Sequence, residues 1–437
     1  MNSRSSGGVP GGSVVAAGLI LAAALFVRPN VLSVNYAIVG TALCAAAAVI
    51  AALADLKSRR RVPGRYALLV IVLGLAYLWL AINASIFSVD TITVIAQGFV
   101  TTVLTTALVG VVLADPRRRR LVARCFIGLV LAVCGSYAVT LASWLVAGFG
   151  ALDLLSFEIS RNGGTATVYF PFTVTFGVQP VGAIMIPRLT GIGREPGWMS
   201  FYAGMALLIW RRVGTPRPAG QALLILGLLG PLSTAGFGAF AVVLAIVLFA
   251  KKPRTKDVFV HYIVFIIKCG VLAGAVYCAV FAPILGFAAK ADFNEVSLNE
   301  RSSAIRNGVE AMTSSPLGGA GEGAQTSITL IAAIAPFGIP YFLLILAALL
   351  LPRIGHPAKH RTTGPIALVL ITLLLSQPPG DSTFVFILAG LTYVIALPDM
   401  EGADEFSRPR TVPLRGHAQV RRREPGRTRV GGTDPFE

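Results

Sequence analysis

The chain is short of charge, and above all of acidic charge. Only 13% of its 437 residues are charged, and Asp and Glu number 20 against 37 Lys and Arg. Soluble globular proteins carry about a quarter charged residues, so this composition excludes an ordinary soluble domain. With 55% hydrophobic residues and a mean hydropathy of +0.75, the composition indicates a polytopic membrane protein.

Several kinds of chemical site are excluded by what is scarce. The chain has only four histidines and five cysteines, and no pair of cysteines has metal-ligand spacing. The sequence also contains no phosphate-binding loop, nucleophile elbow or external Asp-x-Asp pair. We therefore predict no metal and no cofactor. The cysteines lie in or beside apolar runs and are expected to be small packing residues: Cys44, Cys125, Cys134, Cys269 and Cys278.

The net charge of +17 would suit nucleic acid, but its distribution does not. The basic residues cluster between apolar runs and in the C-terminal tail, where they set membrane orientation and meet anionic lipid. We therefore predict membrane lipids as partners and no nucleic acid. The clusters lie at 57–65, 117–124, 211–217, 251–256 and 353–361.

The apolar runs predict an all-α polytopic membrane protein, with a helical domain over residues 1–400 and about 12 transmembrane helices. The predicted spans are 13–27, 33–54, 66–87, 91–113, 121–148, 198–210, a pair within 221–250, 258–288, 328–351, 364–377 and 382–397.

In this arrangement the basic loops fall on one side and two long connections, 149–197 and 289–327, on the other. The positive-inside rule makes the basic side cytoplasmic, together with both termini, and the long connections external. The Ala- and Arg-rich composition favours a bacterial cytoplasmic membrane. Residues 401–437 are predicted to be a basic, disordered tail. Pieces of the first connection alternate loosely and are interpreted as strand-like or re-entrant.

One stretch of the first connection concentrates charge beside a predicted helix. Arg188, Arg194 and Glu195 are set among three glycines and Pro196, immediately before the apolar run that opens at Trp198. Charge beside a membrane is costly unless it binds something or pairs locally. Two interpretations remain open: an anion site at the membrane surface, or a loop in which Arg194 and Glu195 neutralise each other.

The second connection has a comparable set of residues. Ser297 and Glu300 form a capping box, which predicts a helix from Leu298 that stops before Pro316. Arg301 would then oppose the helix dipole in the first turn, which indicates a partner outside the helix. Arg306 and Glu310 are spaced for a local ion pair. The glycines that follow, Gly318, Gly319 and Gly321, either offer N–H groups to an anion or simply make turns.

These residues carry a resemblance to a known family. Arg188-Leu-Thr-Gly-x-x-x-Glu195-Pro-Gly, with a span directly after it, resembles the arginine motif of the O-antigen ligase and polymerase superfamily. Arg301, followed by Pro-Leu-Gly-Gly-x-Gly-x-Gly from residue 316 and a span with Phe-Gly-Ile at 337–339 near its middle, resembles the second signature of that family. The resemblance covers about 185–345.

The resemblance implies a membrane glycosyltransferase of GT-C-like helical architecture. Such an enzyme transfers a glycan from a polyprenyl pyrophosphate to a glycan or lipid acceptor, with inversion and without a metal. Arg188 and Arg301 would hold the donor pyrophosphate, with Glu195 beside them. The further substrate-binding residues would be Arg194, Arg306, Gly318, Gly319, Gly321 and Glu322.

One departure from the family concerns the general base. Family ligases carry an external histidine near the span after the second signature, where this chain reads Gln325-Thr326-Ser327. All four histidines fall at or near the basic side. This favours a polymerase-like or divergent member, with Glu195 as the first substitute base and Glu322 as the second, although Glu195 would equally serve to orient an arginine.

The alternative function is a transporter or flippase for a lipid-linked glycan. Such a carrier is expected to show paired repeats and charges near the bilayer midplane, and no internal repeat is visible in the sequence.

Overall fold

The computed structural model describes residues 11–56, 60–87, 92–148, 150–159, 164–181, 184–250, 258–281, 295–319, 328–375, 378–380 and 382–396. The predicted C-terminal tail lies outside these residues. The helices of the first half are α1 Gly11–Ala23, α2 Ser33–Asp55, α3 Gly64–Phe87, α4 Ile92–Phe99, a π-helical turn Val100–Leu104, α5 Thr105–Val112 and α6 Pro116–Ala147. Those of the second half are α7 Pro196–Val213, α8 Pro218–Leu229, α9 Thr234–Ala250, α10 Val258–Phe281, α11 Glu295–Ser314, α12 Ile334–Leu350, α13 Lys359–Leu375 and α14 Thr383–Ile395.

The structure is that of a helical membrane protein. Among the described residues, five helical stretches are long and apolar enough to cross a bilayer: Tyr36–Asp55, Gly64–Phe87, Ile92–Val112, Pro116–Ala147 and Ile334–Arg353. Large apolar side chains also cover the outer faces of α2, α3 and α10, where Ile38, Ile71 and Phe265 are exposed. Such extensive exposed apolar surface would be unfavourable in water and suits a lipid environment.

The first long connection forms an antiparallel sheet, so the all-α prediction is wrong there. Strands β1 Asp153–Glu158, β2 Thr165–Tyr169, β3 Thr173–Val181 and β4 Ile184–Leu189 pair in sequence order. The sheet forms because β2 and β3 are rich in Thr and Val, β-branched residues that suit a pleated, half-buried strand better than a helix. Ala166 of β2 packs with Ile159 and Val31, which anchors the sheet to the α1–α2 connection.

Contacts between loops gather the basic clusters at one end of the helix bundle, hereafter the basic end. Arg65 donates to the carbonyl oxygens of Pro352 and Gly355 at 2.6 and 2.7 Å, and Arg124 donates to that of Val213 at 3.4 Å. These contacts join the loops after α2, α7 and α12 and the start of α6. The cluster at 251–256 lies outside the described residues.

A buried ion-pair network holds the basic end together. Arg118 is 1% exposed, pairs with Asp55 and donates to the Val112 carbonyl at 2.8 Å. Asp115 caps α6 by accepting from the Arg117 N–H at 2.6 Å, and it also pairs with Arg60. Burial raises the pKa of Asp115, but the capping hydrogen bond and the charge of Arg60 outweigh burial and hold that pKa below its usual range.

Replacing Arg118 with Met should destabilise the protein strongly. The change keeps the packing volume but leaves Asp55 partly buried without its cation, at a cost of about 3 to 5 kcal/mol. Thermal unfolding in detergent, followed by tryptophan fluorescence, measures the loss. Arg117→Met is the matched control, because Arg117 has the same charge and is exposed. Equal unfolding temperatures for the two variants would contradict a supporting role for the buried pair.

Candidate functional site

The arginine motif forms a tight turn between β4 and α7. The N–H groups of Thr190 and Gly191 both donate to the Val174 carbonyl at 3.0 Å, which fixes the turn to β3. Gly191 has a positive φ of 58°, and a Cβ there would lie 2.7 Å from the sulfur of Met199 in α7. The glycine is therefore required both for the backbone conformation and for the close approach to α7.

A second contact holds the motif against the connection between α1 and α2. The Val31 N–H donates to the Ile192 carbonyl at 2.8 Å, and the Arg194 N–H donates to the Pro29 carbonyl at 2.9 Å. Between them, the Asn30 side chain is completely buried and donates to Ala24, while it accepts from the Tyr202 hydroxyl of α7. The motif is therefore clamped from both sides at the bundle end opposite the basic loops, hereafter the motif end.

The charged side chains of the motif lie at the surface of this clamp. The Nε of Arg188 donates to the Pro231 carbonyl at 3.2 Å, which aims it at the α8–α9 turn. The side chain of Arg194 is 23% exposed and that of Glu195 is 41% exposed. Their closest nitrogen and oxygen are 4.0 Å apart, beyond hydrogen-bond distance, so the pair neutralises only partly.

Two helix N-termini meet beside these arginines. A Cβ added to Gly236 of α9 would lie 2.4 Å from the Cβ of Ser200 in α7, so the first turns of α7 and α9 are in direct contact. Each helix N-terminus carries a partial positive charge. Helix N-termini favour anions, and the charged side chains of the motif are Arg188, Arg194 and the opposing Glu195.

Two buried polar atoms near this site lack partners. The Thr190 hydroxyl and the Trp198 indole N–H find no hydrogen-bond partner among the described residues, although both side chains are completely buried. Buried polar groups are almost always hydrogen-bonded, and an orphan is costly. The motif thus retains unused hydrogen-bonding capacity at its centre.

A narrow apolar cleft lies next to the clamp, between α1, α6 and α14. Its cavity volume is only about 20 Å³, close to the size of one water molecule, and it is partly open. Phe126 and Phe384 line it, and both rings contact Tyr202, at centroid distances of 6.5 and 5.5 Å. The cleft therefore lies beside a residue that fixes the arginine motif, but it is too small to hold a hydrocarbon chain.

The second connection is only partly described. Helix α11 begins at Glu295, so Ser297 lies inside its first turn and the capping-box prediction is wrong. The helix ends at Ser314, before Pro316 as predicted. The described residues contain no ion pair between Arg306 and Glu310, and both side chains are exposed.

Three further predicted site groups cannot be placed. The backbone of Arg301 lies in α11, but its side chain is outside the described part of the structure, as are Gly321 and Glu322. Helix α11 packs on α12, whereas the arginine motif packs on α7, β3 and the 29–31 connection. Arg194 and Glu195 thus lie side by side, Arg188 enters the same motif and contacts the α8–α9 turn, and the approach of Arg188 and Arg301 to one site stays a prediction.

Gly318 and Gly319 serve packing in this structure. Both have positive φ values, and a Cβ at either would lie under 3 Å from the end of α3, at Asn83 or Phe87. Their N–H groups donate to the carbonyls of Ser315 and Pro336, so these donors are used within the protein. The turn also breaks α12 at Gly338, which lies near the start of that helix rather than at the middle of a span as predicted. A substrate-binding role for the two glycines stays a prediction.

Sequence reasoning missed the residues that position the motif. Asn30 and Tyr202 determine where the arginines lie, but neither belongs to the motif pattern. The sequence did contain an indication of this role, since Asn30 is an amide between two apolar runs. Burying an amide in a membrane costs free energy unless the amide is hydrogen-bonded. Its partner Tyr202 is 172 residues away, so the pairing could not be read from local spacing.

No family model matches the chain, and no curated protein or solved structure matches it.

The unpartnered hydroxyl leads to a stability prediction. Thr190→Val keeps the side-chain shape and removes a buried group without a partner, so stability should be unchanged or rise by up to about 1 kcal/mol. Thr140→Val is the matched control, because its buried hydroxyl donates to the Phe170 carbonyl at 2.6 Å and lies 2.8 Å from the Thr173 hydroxyl. That variant should lose about 1 to 3 kcal/mol.

The measurement is thermal unfolding of both variants in the same detergent. A loss in Thr190→Val as large as that in Thr140→Val would mean that the Thr190 hydroxyl is already satisfied.

Proposed function

We propose that the chain is a membrane glycosyltransferase of the O-antigen ligase and polymerase type. It transfers or polymerises a polyprenyl-pyrophosphate-linked glycan at the extracytoplasmic face, in the assembly of a cell-surface polysaccharide. The observation that carries the proposal is the positive site at the motif end, where Arg188 and Arg194 lie beside two helix N-termini. That site is rigidly held and adjoins an apolar cleft.

The chemistry follows from where charge develops. A hydroxyl oxygen of the acceptor attacks the anomeric carbon, the bond from that carbon to the pyrophosphate oxygen breaks, and its electron pair leaves with the pyrophosphate. Fixed positive groups stabilise that developing charge more than they stabilise the bound donor, which lowers the barrier. Guanidinium groups suit the task because they bind phosphoryl oxygens in a bidentate manner. Glu195 accepts the proton of the acceptor hydroxyl.

The surrounding bilayer accommodates the lipid part of the proposed donor. A polyprenyl chain remains in the hydrocarbon while its pyrophosphate reaches the membrane surface. The arginine motif lies at an end of the bundle, which is the depth of such a head group if the helices span the membrane. This location suits a lipid-linked donor.

The proposed topology has twelve spans, with α4 and α5 forming one of them and α11 lying outside. Counted in order, α1 to α3, α4–α5, α6 to α10 and α12 to α14 then alternate across a bacterial cytoplasmic membrane. Both termini are cytoplasmic, because the basic end faces inward by the positive-inside rule.

The location of the charged groups favours the enzyme over a carrier. A carrier binds its substrate near the bilayer midplane. The motif arginines lie instead at an end of the bundle. Lys268 does lie midway along α10, but its ammonium is 5.9 Å from the Phe249 ring centroid, which suits local cation–π stabilisation.

Removing either proposed pyrophosphate ligand should abolish transfer. We expect Arg188→Ala and Arg301→Ala each to lower the rate at least about 100-fold, as loss of an oxyanion-stabilising donor does. The assay incubates purified protein with a polyprenyl-pyrophosphate oligosaccharide and measures elongation and released lipid pyrophosphate. Arg217→Ala is the charge-matched control, since Arg217 is exposed near the basic end. Normal product length in both motif variants would refute the proposal.

Glu195→Gln separates a general base from an orienting group. Glu195 makes no side-chain cap to α7, so the change does not remove a helix cap. As the base, its loss should lower kcat by about 100-fold or more with little change in KM. An orienting partner of Arg194 would instead raise KM. Glu158→Gln in β1 is the control, because this exposed carboxylate lies in the same external connection.

A further inference from the structure

The basic end contains arginines that the ion-pair network does not use. Arg361 lies close enough to Arg212 to repel it electrostatically, and both Arg212 and Arg65 act on His356 in the same way. Arg353 interacts electrostatically with Tyr393, whose carbonyl is 3.1 Å from Nε2 of His356. Electrostatic interactions thus place Arg65 and Arg212 near His356, Arg361 near Arg212, and Arg353 near Tyr393.

Two of these arginines have buried N–H groups without partners. The Nη1 of Arg212 and the Nε of Arg353 are inaccessible to solvent and find no hydrogen-bond partner among the described residues. The Nη2 of Arg353 donates to the Thr363 hydroxyl at 2.8 Å, so that guanidinium is held in place with one donor unused. A buried guanidinium donor without an acceptor is unfavourable, so an anion that accepts from these N–H groups would be stabilised there.

The carboxylates of this end are already engaged. Asp55 pairs with Arg118, and Asp115 pairs with Arg60. Within the described ranges, no carboxylate pairs with Arg212, Arg353 or Arg361. The positive charge around His356 is therefore not compensated there.

His356 itself does not supply the missing acceptor. Its Nδ1 accepts from the Ala358 N–H at 3.0 Å, so Nε2 carries the proton and donates to the Tyr393 carbonyl. Burial lowers the pKa of His356, and the charges of Arg65 and Arg212 lower it further, against the hydrogen bond to Tyr393, which raises it. The ring is neutral at neutral pH and has no lone pair left for an arginine.

We infer that Arg212, Arg353 and Arg361 form a binding site for a phosphate-bearing anion at the basic end, separate from the proposed transfer site. Guanidinium forks match the oxygens of a phosphate ester. The site lies where α7 ends and α13 begins, which is the depth of a phospholipid head group if the helices span the membrane. The same chemistry would accept a free phosphate, so the two sources are distinguished by experiment.

The test uses the full chain in nanodiscs of phosphatidylcholine, with or without phosphatidylglycerol. Native mass spectrometry measures how much phosphatidylglycerol the protein retains, and a second arm titrates inorganic phosphate into discs that lack phosphatidylglycerol. The double variant Arg212→Gln, Arg361→Gln should weaken binding about tenfold or more. The control is Arg211→Gln, Arg217→Gln, which removes the same charge from exposed positions near the end of α7. It should change binding less than about twofold.

Each outcome decides the inference. Selective retention of phosphatidylglycerol, lost in the test variant alone, identifies a lipid head group, and selective binding of inorganic phosphate identifies a free anion. Arg361→Gln alone repeats the test at an exposed side chain, where the substitution removes no buried contact. Binding of neither probe, or an equal loss in the control, overturns the site.

Discussion

The motif end of the structure depends on one buried amide. Asn30 has no exposed surface, and its side chain bonds to Ala24 before it and to Tyr202 far along the chain. In a hydrocarbon environment water cannot replace these partners. Breaking either bond would leave a polar group without a partner, so both bonds are retained. Because the flanking backbone also bonds to Ile192 and Arg194, the position of Asn30 determines the position of the arginine motif.

The two ends of the bundle treat positive charge differently. At the basic end, Arg118 and Arg60 pair with Asp55 and Asp115, and Arg65 donates to carbonyl oxygens, which joins the loops there. At the motif end, Arg188 donates to the Pro231 carbonyl and Arg194 lies 4.0 Å from Glu195. A structural arginine uses all its donors internally, whereas a binding arginine must reserve some. The same criterion separates Arg212 and Arg353 from their neighbours.

Hydropathy was a reliable guide to the helices and a poor one to the connections. Each predicted span contains a helix in the described residues, because about 20 apolar residues have few alternatives to a helix in lipid. Pieces of the first connection were interpreted as strand-like or re-entrant, but a four-stranded sheet over 153–189 was not predicted, since its strands are short and interrupted by Pro171 and Pro180. The clamp through Tyr202 could not be predicted because it depends on which helices become neighbours. The glycine-rich turn between Arg188 and α7, by contrast, was evident from local sequence.

The glycines of the two signatures fix the backbone positions of the loops that carry the motif side chains. Gly191 lets the first turn close onto α7, and Gly318 and Gly319 let the second close onto α3 and the broken start of α12. In both places a Cβ would collide with a neighbour, so the glycines fix where each loop sits. In the proposed function, the guanidinium groups and the helix N-termini bind the pyrophosphate, and the glycines determine their positions. A glycine-to-alanine change at Gly191 would therefore displace the arginines without removing any of their donors. The position of the charged groups thus depends on the packing of the turn against α7.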